Sequence, residues 1–473
     1  MMTFFLSNIF IPLFEKCSKT HFWSLYKEML NFLTRSKSTY TAEELKLENI
    51  LNHAVDNTEF WANKIKAKPG LTTYQLLRII PITQKSTYAQ GFPDQVTAKN
   101  RTEDWQYLSS AGTTGRMTVV VDFVKRDYLR AAEHLNLKLA TGSALGYKSV
   151  DIPPSACNVV CGFSDQGPEP IGGFFWWAFK NNKLFTPSTL SDLRGRFERQ
   201  IMLNRQVLMP IDSAPWEKMC QQLDPYLDSI IANKVRIIRA LPHFLLWLAK
   251  RAEQRQLIFP DVKTLLPYGG LAGEALVESI TRVFQAKYIN VYGTGEVGSI
   301  GCTMSDSHVI DIYSAMVCLE VLDSTGEYAE LNTPGRVVVT DLNNYAMPII
   351  RYEIGDIAKV IEYDNKNSLP RKIEILGRKQ ECFNLPSGKY LTTIEIQNVF
   401  FQFSDIINFQ LEIITPKIFK VVIVCLNDFD TKKLSEQLQV LLELPKPPVI
   451  KISEFILPEQ SGKFLSVKTR NKR

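Results

Sequence analysis

Residues 109–115 read SSAGTTG: Ser109, Ser110, Ala111, Gly112, Thr113, Thr114 and Gly115, following WQYL at 105–108. The stretch joins small flexible residues to hydroxyls. Glycine lets backbone amides approach an anion closely, and Ser and Thr hydroxyls donate further hydrogen bonds without the bulk of a long side chain. Such a loop suits a polyphosphate. A solvated turn has the same composition, so the stretch by itself leaves both readings open.

Four further segments follow in order: YGTGE at Tyr292 to Glu296, RYEIGD at Arg351 to Asp356, LGRKQE at Leu376 to Glu381 and SGKF at Ser461 to Phe464. Together with the first they resemble the ordered signatures of the adenylate-forming enzymes, the superfamily of acyl-CoA synthetases, luciferases and peptide-synthetase adenylation domains. The nearer likeness is to the phenylacetate-CoA ligase branch, which includes coenzyme F390 synthetases and capsule-biosynthesis proteins of the CapK type. LNHAVDNTEFW, RIIPITQK and TVVVDFVKRD carry that likeness, and the resemblance runs over nearly the whole chain.

The resemblance implies an α/β fold: a large N-terminal domain of layered helices and sheets over residues 1–376, holding ATP and the acyl group, and a small mobile α+β lid over 377–473 with the catalytic lysine. The implied activity is ATP- and Mg²⁺-dependent activation of a small carboxylic acid through an acyl-adenylate, then transfer to a thiol. Coenzyme A is the default acceptor. A carrier protein or an amine, in polysaccharide or secondary-metabolite biosynthesis, is the alternative. A reading of another class is a nucleotide-binding interaction protein without turnover, suggested by altered residues at Ala111, Gly295 and Gln380.

Length and composition agree with a globular protein of more than one domain. The chain has 473 residues, 45% hydrophobic and 22% charged, which excludes a disordered or fibrous class and leaves ample material for a core. The net charge of +6 is spread along the chain except at the terminal KTRNKR, so no nucleic-acid partner is expected. Eight cysteines lie scattered with no CxxC pair, as suits a reducing cytoplasm. The opening MMTFFLSNIFIPLFEKC is apolar but lacks a basic leader and a small-residue cleavage site, and reads as a docking segment. No apolar run reaches the roughly 18 to 20 residues of a membrane-spanning helix, so any membrane contact would be peripheral. Oligomeric state is not legible.

Periodicity divides the chain. ELKLENILNHAVDN puts Leu47, Ile50, Leu51, Ala54 and Val55 on one helical face, and the first hundred or so residues read as mostly helical. From Tyr107, β-rich runs (MTVVVDFV, SACNVVC, RQVLMPI, KYINVY) alternate with helical stretches such as VRIIRALPHFLLWLAKRAEQ, the pattern of α/β layers. From Val317 strands dominate, in VCLEVLD and GRVVVTDL. Beyond a boundary near LGRKQE, the runs FQLEIIT, FKVVIVCL, LSEQLQVLLEL and VIKISEFI predict a compact α+β unit. No internal repeat or long low-complexity linker interrupts the chain.

By the resemblance, Ser110, Gly112, Thr113, Thr114 and Gly115 clasp the β and γ phosphates, with Ala111 at the usual second serine. Tyr292 lies along adenine, Gly293 belongs to the same nucleotide-binding segment, and Glu296 helps to hold Mg²⁺, with Gly295 at the usual threonine. Gly293, Gly295 and Gly298 also spell GxGxxG. A dinucleotide site would need a helix opening at Gly298, and SIGCTMSDSHVIDIY offers a β-like alternation instead. Asp356 offers two acceptor oxygens to the ribose hydroxyls, and Arg378 contacts ribose or phosphate. Gln380 holds the hinge position, where Asp or Lys is commoner. Lys463 is the expected catalytic lysine, with Glu296 and Thr113 beside it. The Walker pattern fails, since the glycine it needs five positions before Gly462 is Leu457.

The implied acyl pocket has Tyr268, Gly269 and Gly270 as its floor and His243 and Phe244 on its wall, with GGFFWW at Gly172 to Trp177 as further aromatic surface or as core. Cys302 and His308 resemble two ligands of a structural zinc site found in part of the branch. The PCxCGR motif that supplies the others is missing between Asp356 and Gly377, and two ligands do not close a tetrahedral site, so no structural zinc is expected.

Overall fold

The structure is a computed structural model. It describes residues 5–18, 20–34, 40–66, 70–102, 105–112, 115–145, 147–154, 170–185, 189, 193, 195–304, 308–365, 367–415, 418–427, 429–459 and 462–469. Thr113, Thr114, the SACNVVC run and the end of KTRNKR lie outside them.

The predicted apolar face forms on the helix Tyr40–Asn57, where Leu47, Ile50, Leu51 and Ala54 are buried and Val55 packs against them partly covered. The described residues of SSAGTTG belong to two paired strands: β1 (Gln106–Gly112) pairs antiparallel with β2 (Gly115–Val121), and Gly112 faces Gly115. MTVVVDFV is not one strand. Asp122 accepts from the Lys125 amide at 2.7 Å, capping the helix Phe123–Thr141 and ending β2.

Five short parallel strands follow: β3 (Ser149–Ile152), β4 (Arg205–Val207), β5 (Ile237–Ala240), β6 (Thr264–Leu265) and β7 (Lys287–Tyr288), in the order β4-β3-β5-β6-β7. The stretch VRIIRALPHFLLWLAKRAEQ divides between β5 and the helix Pro242–Gln254. A β-branched run favours the strand, and Pro242, whose missing N–H costs nothing in a first turn, starts the helix.

KYINVY divides too. Its second half is β8 (Val291–Thr294), the edge of a seven-stranded antiparallel sheet with β9 (Gly298–Thr303), β10 (Val309–Ile312), β11 (Val317–Leu322), β12 (Pro334–Asp341), β13 (Tyr352–Tyr363) and β14 (Pro370–Arg378), in the order β11-β12-β13-β14-β10-β9-β8. The chain therefore changes sheets just before YGTGE, and that motif lies where the two meet.

Beyond Arg378 come a small hairpin of β15 (Phe383–Asn384) and β16 (Tyr390–Leu391), the helix Thr393–Phe401, β17 (Ile406–Thr415), β18 (Ile418–Cys425), the helix Thr431–Leu441, β19 (Ile450–Ile452) and β20 (Val467–Thr469). The mixed sheet runs β19-β18-β17-β20.

Two apolar cores result. One joins the N-terminal helices to the hairpin and the antiparallel sheet. The other runs from the parallel sheet through the helix Pro242–Gln254 into the C-terminal unit, where the buried Trp247 Nε1 donates to the Ile407 carbonyl at 3.1 Å. Among the described residues no helix is long and apolar enough to cross a membrane.

Candidate active site

RYEIGD is built outward from a buried arginine. Arg351 donates from Nε and Nη2 to the two oxygens of Glu320 at 3.0 and 2.9 Å, and from Nη1 to the carbonyls of Arg78 and Ile80, both at 2.7 Å. A buried bidentate pair of this kind fixes geometry more than it adds stability. It fastens RIIPITQK to β13, where Thr83 bridges Tyr352 in parallel. Lys85 opens the next helix, Lys85–Gly91, which packs on β2, and its Nζ lies 3.1 Å from Glu296. Glu296 also accepts from the Tyr352 hydroxyl. The expected Mg²⁺ ligand thus already faces a lysine and a tyrosine, neither picked out from the sequence. The signal for Lys85 was its place in RIIPITQK.

At the far end of RYEIGD, Asp356 is buried, and both its oxygens are engaged. Oδ1 lies 2.9 Å from Arg378 Nε, across the β13–β14 pair, and Oδ2 accepts from the Tyr292 hydroxyl at 2.9 Å. Burial pushes the Asp356 carboxyl up against the pull of Arg378, and it pushes the Tyr292 phenol well up, with the Asp356 charge adding to it. Arg378, held up by Asp356, also donates to the Ile354 carbonyl at 3.2 Å. Tyr292 sits at the edge of this cluster with its ring largely covered.

Gly293 lies where the β8–β9 register shifts, and a Cβ there would come within 2.4 Å of the Gly298 carbonyl oxygen. Gly298 opens β9, a strand where a dinucleotide fingerprint needs a helix.

Lys463 comes from the C-terminal unit. Its chain crosses Gly269 so closely that a Cβ on that glycine would be 3.3 Å from its Cε and 3.4 Å from its Nζ. Its charge acts on both Asp356 and Glu381. Gln380 lies in the turn after β14, in which the Glu381 and Cys382 amides both donate to the Arg378 carbonyl.

His243, at the start of its helix, stacks obliquely on Phe464 with centroids 5.3 Å apart and meets Phe401 edge-on. Its buried Nε2 has no hydrogen-bond partner, and burial holds the imidazole down to about 4. Phe244, 2% exposed, packs on Trp247 within the core. The Tyr268 hydroxyl donates to Asp151 at 3.0 Å. Asp151 pairs with Arg205, and Glu133 pairs with Arg239 and Arg205. This network, from Asp151 on β3, Arg205 at the start of β4, Arg239 on β5 and Glu133 on the helix Phe123–Thr141, was not read from the sequence, because its members are far apart in the chain. Gly270 rests on Pro242.

The remaining expected residues sit on other elements. The backbones of Ser110, Gly112 and Gly115 belong to the hairpin strands. Gly172 to Trp177 form part of the helix Ile171–Lys180, with Phe174 buried and Phe175 and Trp176 exposed. Cys302 is buried in β9 and burial pushes its thiol up to about 12, while His308 faces Glu274 at 3.6 Å.

Residues of the antiparallel sheet, the segment after β6 and the C-terminal unit thus come together around Lys463. In solved structures the same architecture is found in a 2-hydroxyisobutyryl-CoA ligase in its postadenylation state with 2-HIB-AMP, matching 91% of this chain and 90% of that one with a TM-score of 0.64 at 15% identity. An open conformation of that ligase with 2-HIB-AMP and CoA matches at 0.52, over 91% of each chain at 15% identity. Curated relatives include a phenylacetate-coenzyme A ligase of Thermus thermophilus, 24% identical over 347 residues, 70% of this chain and 68% of that protein. One of Pseudomonas putida is 24% identical over 323 residues, 66% and 64% of the two lengths. The chain has the adenylate-forming fold and resembles the phenylacetate-CoA ligase branch. No protein-family model matches it. Within that fold Lys463, from the C-terminal unit, lies against Gly269.

Proposed function

We propose that the protein is an ATP-dependent carboxylic acid ligase that activates its substrate as an acyl-adenylate and passes the acyl group to a thiol, coenzyme A by default. The observation that carries this reading is that Lys463, crossing Gly269, comes within electrostatic reach of the Asp356–Arg378 pair. In the reaction a substrate carboxylate oxygen attacks the α-phosphorus, the bond to the bridging oxygen breaks, and pyrophosphate leaves. Charge builds on the phosphorus oxygens, and a compact ammonium on a flexible stem is suited to meet it.

Residues 1–376 hold ATP and the acid in this reading, and residues 377–473 form the lid, turning about Gln380 between the two half-reactions. Asp356 binds the ribose hydroxyls by exchanging the Tyr292 hydroxyl for them. The carboxylate of Glu296 is a hard oxygen donor that fits Mg²⁺, which would neutralise phosphate charge when bound. Lys85 holds the Glu296 carboxylate in place beforehand. Ser110, Gly112, Thr113, Thr114 and Gly115 take the terminal phosphates, and Gly269, Gly270, Tyr268 and His243 surround the acyl group.

The test is capture of an acyl-adenylate by mass spectrometry after incubation with Mg-ATP and a panel of aryl, fatty and hydroxy acids. An adenylate formed with one class supports the reading and names the substrate class. ATP binding with no adenylate from any acid contradicts it.

A further inference from the structure

The residue after the hinge position is a buried carboxyl that no part of the reaction above uses. Glu381 is 7% exposed. It ends no strand and caps no helix. Its carboxyl accepts from the backbone N–H of Val467, the first residue of β20, four residues beyond Lys463. The groups that face it are Arg378 at the end of β14, Asp356 on β13 and the Lys463 ammonium from the C-terminal loop. One side chain therefore joins the hinge turn to the strand that anchors the lysine loop, within electrostatic reach of the nucleotide cluster.

We propose that Glu381 is a positioning residue that fastens the hinge to the Lys463 loop, holding the lysine against Gly269 only while the hinge keeps its present rotation. The inference rests on the reading of Lys463 given above. Turning the chain about Gln380 would move Glu381 and Val467 with the lid but carry them away from Arg378 and Asp356, so the cluster that encloses the carboxyl is assembled only in the closed arrangement.

Burial is the leading influence on Glu381 and pushes its carboxyl up to about 7, with Arg378 opposing. An exposed glutamate titrates near 4.5. Closure therefore takes up a proton between those values, and ionisation above about 7 works against the closed lid. A neutral carboxyl still accepts from the Val467 amide. The adenylation step should accordingly decline as pH rises through about 7.

The experiment compares the intact chain with Glu381→Ala and Glu381→Gln in two ways. Hydrogen–deuterium exchange over residues 462–469 needs no turnover. Glu381→Ala should speed exchange there about tenfold, and Glu381→Gln, which keeps an acceptor oxygen, should restore most of the protection. In ATP–pyrophosphate exchange with phenylacetate as the first acid, Glu381→Ala should lower kcat about tenfold to a hundredfold with the KM for ATP within about twofold, while thioester formation from preformed acyl-adenylate stays near that of the intact chain. Glu381→Gln should recover most of the rate and lose the inflection near pH 7. Unchanged exchange over 462–469 in Glu381→Ala, or equal losses in both half-reactions, would overturn the proposal. If the intact chain exchanges no pyrophosphate with any acid while the deuterium result holds, the ligase reading fails and the positioning role stands.

Discussion

His243 is a neutral imidazole enclosed by Phe464 and Phe401, with burial holding it down to about 4 against a usual 6.5. Between those values the unfolded chain binds a proton that the folded one does not, so stability rises with pH across that window and is lost as pH falls through it. The full difference is on the order of 3 kcal/mol. Urea unfolding at pH 4.5, 5.5 and 7 should show this loss in the intact chain, and a shallower dependence in His243→Gln. At the same scale, Lys85 competes with any cation for Glu296. Lys85→Met should lower the Mg²⁺ concentration for half-maximal pyrophosphate release about fivefold, worth about 1 kcal/mol, and Glu296→Gln should raise it. Equal shifts in one direction would contradict the pairing. Asp356, Arg378 and Lys463 could be singled out in the sequence because their motifs follow one another in the order and spacing of the family they resemble; each motif alone reads as an ordinary turn or tail. Lys85, Tyr352 and Glu381 could not, because their roles come from neighbours across a sheet or beyond a hinge.

Glycines decide two elements. The β8–β9 hairpin brings Gly293 so near the Gly298 carbonyl that Gly293→Ala has no room, and about 2 kcal/mol or more should be lost on thermal unfolding. Gly269, at φ +71°, is left-handed as well as crowded by Lys463. Gly269→Ala should fold with a cost of about 1–2 kcal/mol and release pyrophosphate much more slowly, because the new methyl displaces the lysine. A variant that releases pyrophosphate normally would remove Lys463 from this position. Alternation along GRVVVTDL and helical spacing in ELKLENILNHAVDN made those elements readable. The stretch VRIIRALPHFLL misled because its apolar residues suit a buried strand and a buried helix equally, and only Pro242 marks the junction. KYINVY looked like one strand, and it spans two sheets because each half finds a different partner.

At the scale of the whole molecule, the second core crosses the expected domain boundary. Trp247 is 1% exposed and contacts Phe464 edge-on, while its Nε1 donates to Ile407. Side-chain pairs of this kind join the parallel-sheet layer to the C-terminal unit in one apolar core, and the two should unfold together. Trp247→Ala should cost about 3–5 kcal/mol and split a single denaturation transition into two. A single transition at unchanged midpoint would contradict the shared core. The α/β layering and the order of motifs were legible in the sequence; this seam was not, since its apolar residues also satisfy an ordinary isolated core. The most direct test of the account is acid-dependent pyrophosphate release from Mg-ATP by the intact chain and by Lys463→Ala. The account predicts release with at least one acid class and a loss of at least about a hundredfold in the variant. Release that Lys463→Ala leaves unaltered would contradict it.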